Sequence, residues 1–195
     1  MNPKLQSIIS RVKPELQAQK NVLLFIIVLL LSNMVWKLTI RGDEGAQSTT
    51  EKVTFCGADV TPAFDLMSRH VAKSVYHILH FFNPSIHIRN DNHIFFDNGV
   101  GSLIVWSCSG LKQMFIFTCI LLFSAGPWKH KLWFVPLGIL LCDIVNILRI
   151  GAITMLIETH RAWFPILHDH IFKYLFYLLI FLYWVIWDTK FASKE

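Results

Sequence analysis

From residue 22 to residue 31 the chain reads Val-Leu-Leu-Phe-Ile-Ile-Val-Leu-Leu-Leu, without one polar side chain. The apolar stretch runs on to about residue 38, and at about 1.5 Å per residue it is long enough to cross a hydrocarbon core about 30 Å thick. Inside lipid the backbone must satisfy its own N–H and C=O groups, so such a stretch folds as a helix. Comparable runs at about 111–125, 132–157 and 171–187 make the same demand three more times. The expected fold class is an all-α polytopic membrane protein with about four transmembrane helices. Composition agrees: 54% hydrophobic residues, sixteen Phe, seven Trp and a mean hydropathy of +0.48 are too apolar for a soluble domain. The net charge of +5 is scattered in ones and twos, which is no nucleic-acid patch. Four cysteines without CxxC spacing make neither a zinc site nor a disulfide framework. Cys119 and Cys142 lie in apolar runs as packing residues, and Cys56 lies in a polar loop.

Around these spans the chain divides as follows. Residues 1–20 carry Lys4, Arg11, Lys13 and Lys20, with Leu5, Ile8, Ile9 and Val12 at helical spacing, and read as a basic amphipathic segment on an anionic membrane face. They are too long and too polar for the n-region of a cleavable signal. Residues 21–38 are the first span, and 39–106 form the one substantial polar stretch, opening as an irregular Gly- and Ser-rich loop. Thr61-Pro62 predicts a helix start with Thr as N-cap. From there to residue 82, Phe64, Met67, Val71, Val75, Ile78 and Leu79 form an apolar stripe opposite Asp65, Arg69 and Lys73, until Asn83-Pro84 stops the helix. Residues 86–97, two β-branched runs around Asn90-Asp91-Asn92, predict a β-hairpin. The core at 107–187 holds three further spans, and 188–195 is a polar tail. Lys and Arg concentrate in 1–20, in the 126–131 turn and in the tail, which places these three on the cytoplasmic side. Lys37 and Arg41 run against that rule at the outer end of the first span, but the loop they begin is long enough to weigh little.

This topology delivers three chemically active residue types to one membrane face. Cys108, in Ser107-Cys108-Ser109-Gly110, stands at the outer start of the second span. Ser is a preferred N-cap, so a helix beginning near Ser107 or Ser109 would set the thiol beside free backbone N–H groups and a positive helix end, which favours the nucleophilic thiolate. Taken alone, a cysteine there is a small apolar filler. Arg149 lies deep in the third apolar run, where a cation costs about 2.5–3.5 kcal/mol unless it faces a partner or a wet cavity. Asp143, Asn146 and Arg149 recur every three residues, broadly on one helix face. The simpler alternative is that Arg149 pairs with Asp143 or snorkels to the interface. His168 and His170 flank Asp169 at the outer start of the fourth span, and either is a natural base for a thiol, with Asp169 available to fix its tautomer. Thiolate, imidazole and guanidinium together supply the nucleophile, acid/base and oxyanion donor of acyl transfer. Two other classes compete: a non-enzymatic membrane scaffold or assembly factor in which Cys108 and Arg149 are structural, and a metal or haem site using His70, His77, His80, His87, His93, His168 and His170.

With these residues in hand, the chain resembles the exosortase/archaeosortase family of membrane cysteine transpeptidases. The resemblance rests on Cys108-Ser109-Gly110 entering one span, Asn146-Ile147-Leu148-Arg149-Ile150 ending the next and a histidine starting a later one, and it covers roughly residues 61–187. Relatives often have around eight spans, so this chain looks like a compact bacterial version. The resemblance implies Cys108 as nucleophile, Arg149 as oxyanion or substrate-orienting cation, and His170, with His168 as the alternative, as acid/base. Ser109, Gly110, Asn146, Asp143 and Asp169 would be supporting residues. It implies no cofactor and no metal. It also implies membrane-anchored substrates with C-terminal sorting signals, cleaved at the outer face of a bacterial cytoplasmic membrane and released or passed to a surface acceptor.

Overall fold

The computed structural model describes residues 3–42, 52–160, 166 and 171–192, with backbone alone for residues 3–18. Helix α1 (Pro3–Thr39) is continuous through the predicted boundary at residue 20, and its membrane-length part is Gln19–Thr39. Helices α4 (Trp128–Thr159) and α5 (Phe172–Trp187), the latter extended by a π-type turn (Asp188–Ala192), are also long and apolar enough to cross a bilayer. Helix α3 (Leu111–Phe123) has 13 residues, about 20 Å at 1.5 Å per residue. That is shorter than a full crossing, so among the described residues the four expected apolar helices stand as three of membrane length and one shorter apolar helix packed among them.

One end of this bundle is tied by polar contacts. Asn21 Nδ2 donates to Asp188 Oδ1 at 2.8 Å, joining the start of the first span to the end of the last. Lys131, which charge counting assigns to an exposed basic turn, is instead buried and donates to the carbonyls of Leu122 (3.0 Å) and Ser124 (2.6 Å). It thereby satisfies carbonyls that the end of α3 leaves open. Trp184 and Trp187 donate to Ser124 Oγ and the Ala125 carbonyl, and Phe191, expected in a polar tail, packs on Trp187. The start of the first span, the 124–131 turn and the end of the last span therefore meet at one end of the described residues.

The opposite end carries a layer that the polar stretch builds. Helix α2 (Thr61–Phe82) packs its apolar stripe on the outer part of α4. Its start differs from expectation: Val60 is the N-cap position, and Thr61 lies one residue inside, where its hydroxyl and N–H both donate to Asp59 Oδ1 (2.6 and 2.9 Å). Strands β1 (Ile40–Arg41), β2 (Thr54–Phe55) and β3 (Ala58–Asp59) form a small antiparallel ribbon on either side of the expected irregular loop, 41–51, which from residue 43 lies outside the described residues. Its β2–β3 turn is Cys56-Gly57, both with positive φ, the backbone of a tight hairpin turn. The predicted hairpin is the first two strands, β4 (Ile86–Arg89) and β5 (His93–Phe96), of a three-stranded antiparallel sheet completed by β6 (Gly101–Leu103). A Cβ on Gly101 would run into the Ile94 carbonyl oxygen, which is why glycine starts β6.

Two cores result. The bundle core gathers Phe25, Phe117, Ile120, Phe134, Ile180 and Trp184, while the outer core gathers Val71, Val75, Ile86, Ile94, Ile147 and Ile150. Helix α4 belongs to both. Its 32 residues span about 48 Å, more than a bilayer core requires, and the surplus is covered by α2 and by β6, to which Thr154 Oγ1 donates at Ser102 Oγ (3.2 Å).

Candidate active site at the Cys108 turn

The segment entering α3 is made of residues that favour turns over helix. Val105 is extended, and Trp106–Cys108 form one 3-10 turn closed by the Cys108 N–H donating to the Val105 carbonyl at 2.9 Å. Gly110 then takes φ +77° and is the N-cap position of α3, so the helix starts at Leu111 and not at the serines. Ser109 Oγ still accepts from the Leu111 N–H, at a long 3.4 Å. Cys108 therefore stands in its own turn ahead of the helix, half-buried against the outer core.

Asn146, 1% exposed, fixes this turn from α4 by donating Nδ2 to the Cys108 carbonyl at 2.8 Å. Gly110 makes the approach possible, since a Cβ there would stand 3.0 Å from the same Nδ2. Asn146 is 18 residues into a helix that begins at Trp128, about 27 Å along its axis. If the first turn of α4 marks one membrane boundary, Cys108 sits close to the other.

Asp143, Asn146 and Arg149 do not share one target. A step of three residues rotates a helix by about −60°, so the three fan across about 120°. Asp143 Oδ2 meets His70 Nε2 of α2 at 2.9 Å, Asn146 meets the Cys108 turn, and Arg149 faces a cavity beyond it. The expected alternative, an Arg149–Asp143 pair, is thus replaced by His70–Asp143. The cavity, about 530 Å³, is lined from five parts of the chain, with Trp36 and Lys37 from α1, Ser107 and Ser109 from either side of Cys108, Lys112 and Gln113 from α3, Arg149 from α4, and Lys173 and Tyr177 from α5. Trp106 divides it from a second cavity of about 500 Å³, lined by Asp59, Thr61, Asp65, Arg69 and Asn92 among others. There the hydrogen bonds from the Thr61 hydroxyl and N–H hold the Asp59 carboxyl below its usual range.

His168, Asp169 and His170 lie outside the described residues. The helix that follows them in sequence, α5, contributes to the same cavity as Arg149, Ser107 and Ser109. Among the described residues no three His, Cys, Asp or Glu gather as a metal group. His87 Nε2 is 2.8 Å from Asp97 Oδ1, and His80 Nδ1 is 3.0 Å from the Ile86 carbonyl oxygen. Sequence reasoning passed over Trp106, Lys112, Lys173 and Tyr177 as site residues. Lys37, which by charge counting only opposed the topology, is a cavity residue as well.

The family model of the transmembrane exosortase matches residues 8–188. The chain belongs to the exosortase family. No curated protein and no solved structure matches it. The match covers the three membrane-length helices found among the described residues, apart from the last few residues, together with the Cys108 turn and the outer layer, and the protein is a multi-pass membrane protein.

Proposed function

We propose that this exosortase is a membrane cysteine peptidase or transpeptidase that cleaves C-terminal sorting signals of exported proteins at the outer face of the bacterial cytoplasmic membrane. The observation that carries the reading is the cavity in which both neighbours of Cys108 and the guanidinium-bearing Arg149 take part, in a chain of this family. In the proposed cycle the Cys108 thiolate attacks the scissile carbonyl carbon and Arg149 donates to the oxyanion that forms. Collapse breaks the C–N bond, the leaving amine takes a proton from His170 or His168, and a thioester remains on Cys108. Water or an acceptor nucleophile gives its proton to the same imidazole, attacks the thioester and returns the thiolate. The structural neighbours of the reaction are Ser109, Gly110 and Asn146, which hold the turn. Asp143 is assigned to α2 through His70, and Asp169 to the histidines.

The test is co-expression with a membrane-anchored substrate carrying a C-terminal hydrophobic span and a basic tail, read as a gel shift. Wild type should shorten the substrate, while Cys108→Ala and Arg149→Ala should leave it full-length although both insert in the membrane. His170→Ala against His168→Ala then names the base. Processing by Cys108→Ala at the wild-type rate would refute the enzyme reading and bring forward the scaffold reading.

A further inference from the structure

Below the cavity beside Cys108 lies a second, apolar one. Phe176 lines both, and the lower one is an indentation of about 220 Å³ between α3, α4 and α5. The lining descends in the same order on all three helices: from Gln113 to Phe117 on α3, from Arg149 to 138–145 on α4, and from Lys173 to 179–186 on α5. Gly138 lies eleven residues before Arg149 on α4, about 16 Å along the axis, so the indentation reaches well into the hydrocarbon depth. Its described lining carries no charged side chain, and the Tyr183 hydroxyl is turned to the Phe134 carbonyl oxygen at 3.5 Å. Helix α4 packs closely on α2 and α3 and only sparsely on α5, which leaves a seam with Leu141 and Leu182 exposed on its rims. An apolar face alone draws no helix out of lipid, because acyl tails are as apolar as leucine; helices associate in a bilayer through shape. The seam has one. An apolar cavity of about 150 Å³ holds a benzene molecule, so this indentation has room for one leucine or phenylalanine side chain, as a knob fits a hole.

We infer that the seam between α4 and α5 seats the hydrophobic span of the protein substrate, with one large apolar side chain of that span inserted between Phe117, Cys142 and Ile180. The inference deepens the proposed function and rests on it for the identity of the partner. In that reading the span follows the scissile bond in sequence, so a chain whose bond lies at the Cys108 turn enters the bilayer within a few residues of it. The seam begins at the same cavity as Ser107 and Ser109 and leads down through Phe176, which makes it a continuous path from the reacting bond into the hydrocarbon. Its dry, uncharged lining suits a membrane span and suits no polar segment of the substrate.

The experiment is photo-crosslinking in membranes that hold the full chain and a membrane-anchored reporter ending in an apolar span of about 20 residues and a basic tail. Benzoylphenylalanine is placed at Leu141 or Leu182, on the rims of the seam, and for comparison at Leu140 or Leu178, which are exposed on the same helices but do not line it. In a Cys108→Ala background, so that the reporter stays whole, positions 141 and 182 should join the reporter about tenfold more than positions 140 and 178. With the crosslinker moved along the reporter's span instead, the yield should peak about every 3.6 residues. In the active enzyme, Leu179→Trp fills the seam and should slow shortening of the reporter about tenfold, while Leu178→Trp leaves it unchanged. Equal yields from all four positions overturn the inference. So do adducts to lipid alone, which would make the seam an acyl-chain groove, and adducts between two copies of this chain, which would make it a subunit contact. Because crosslinking is scored without cleavage, the two readings fail separately: seam adducts to a reporter that wild type never shortens remove the peptidase and keep the docking, and shortening without seam adducts does the reverse.

Discussion

At the scale of single residues, the Cys108 turn depends on two residues that do no chemistry in the proposed cycle. Gly110 supplies φ +77° and leaves room for Asn146, whose amide holds the Cys108 carbonyl at 2.8 Å. Gly110→Ala should cost about 1–2 kcal/mol for the left-handed backbone alone, before any displacement of Asn146. Asn146→Ala should cost about 1–3 kcal/mol, because it strips the Cys108 carbonyl of its donor, and should slow substrate processing by up to about a hundredfold, since a small misplacement of a reacting group is that expensive. Processing rates measured beside thermal stability decide the matter. An Asn146→Ala protein that processes at the wild-type rate would show that the hydrogen bond orders the turn without positioning the thiol.

Among the elements, α2 and the β1–β2–β3 ribbon meet at Asp59 and Thr61. The Asp59 carboxylate accepts from the Thr61 hydroxyl and N–H, and these bonds hold its pKa below the ordinary aspartate value. A carboxyl whose folded pKa is depressed contributes stability that is fully present above its unfolded pKa, about 3.9, and is lost as the pH falls through the lower folded value. The α2 start should accordingly be indifferent to pH between about 5 and 8 and should loosen only below about 3.9. Amide hydrogen exchange reads this at the Thr61 N–H, which donates to Asp59, and at the Val53 N–H, which donates to Thr61 Oγ1 at 2.9 Å. Protection at both should fall in Asp59→Ala at neutral pH, and equal protection in variant and wild type would remove the junction as the helix's anchor.

For the whole molecule, the two-ended arrangement makes a claim about sidedness. Asn21, the 124–128 turn and Asp188 gather at one end, while α2, both sheets and the Cys108 turn lie at the other. Cys56, exposed at the tip of the ribbon, therefore reports the side on which the Cys108 turn lies. In single-cysteine variants, a membrane-impermeant maleimide applied to intact cells should modify Cys56 and leave the bundle cysteines, Cys119 and buried Cys142, unmodified. Modification of Cys56 only in inverted vesicles would turn the protein over and move the proposed chemistry to the cytoplasmic face.

Hydrophobic run length by itself determined the class of this protein, because lipid forces any long apolar segment to satisfy its backbone internally as helix. The period of Phe64, Val71, Val75 and Leu79 likewise determined α2, and the alternation around Asn90-Asp91 determined β4 and β5. The Cys108-Ser109-Gly110 and Asn146 to Ile150 segments were enough to carry the family resemblance. Other features were decided only in the tertiary structure, since each depends on a partner distant in sequence. Charge counting makes Lys131 a loop cation until the carbonyls at the end of α3 are seen to need it. Asp143 and Arg149 look like a pair until α2 brings His70 to the first. Short strands such as β1, β2 and β3 leave almost no periodic signal, and Gly101 explains β6 only once the Ile94 carbonyl stands against it. Lys37, Lys112, Arg149 and Lys173 are four scattered charges in the sequence, and only helix packing makes them the wall of one cavity.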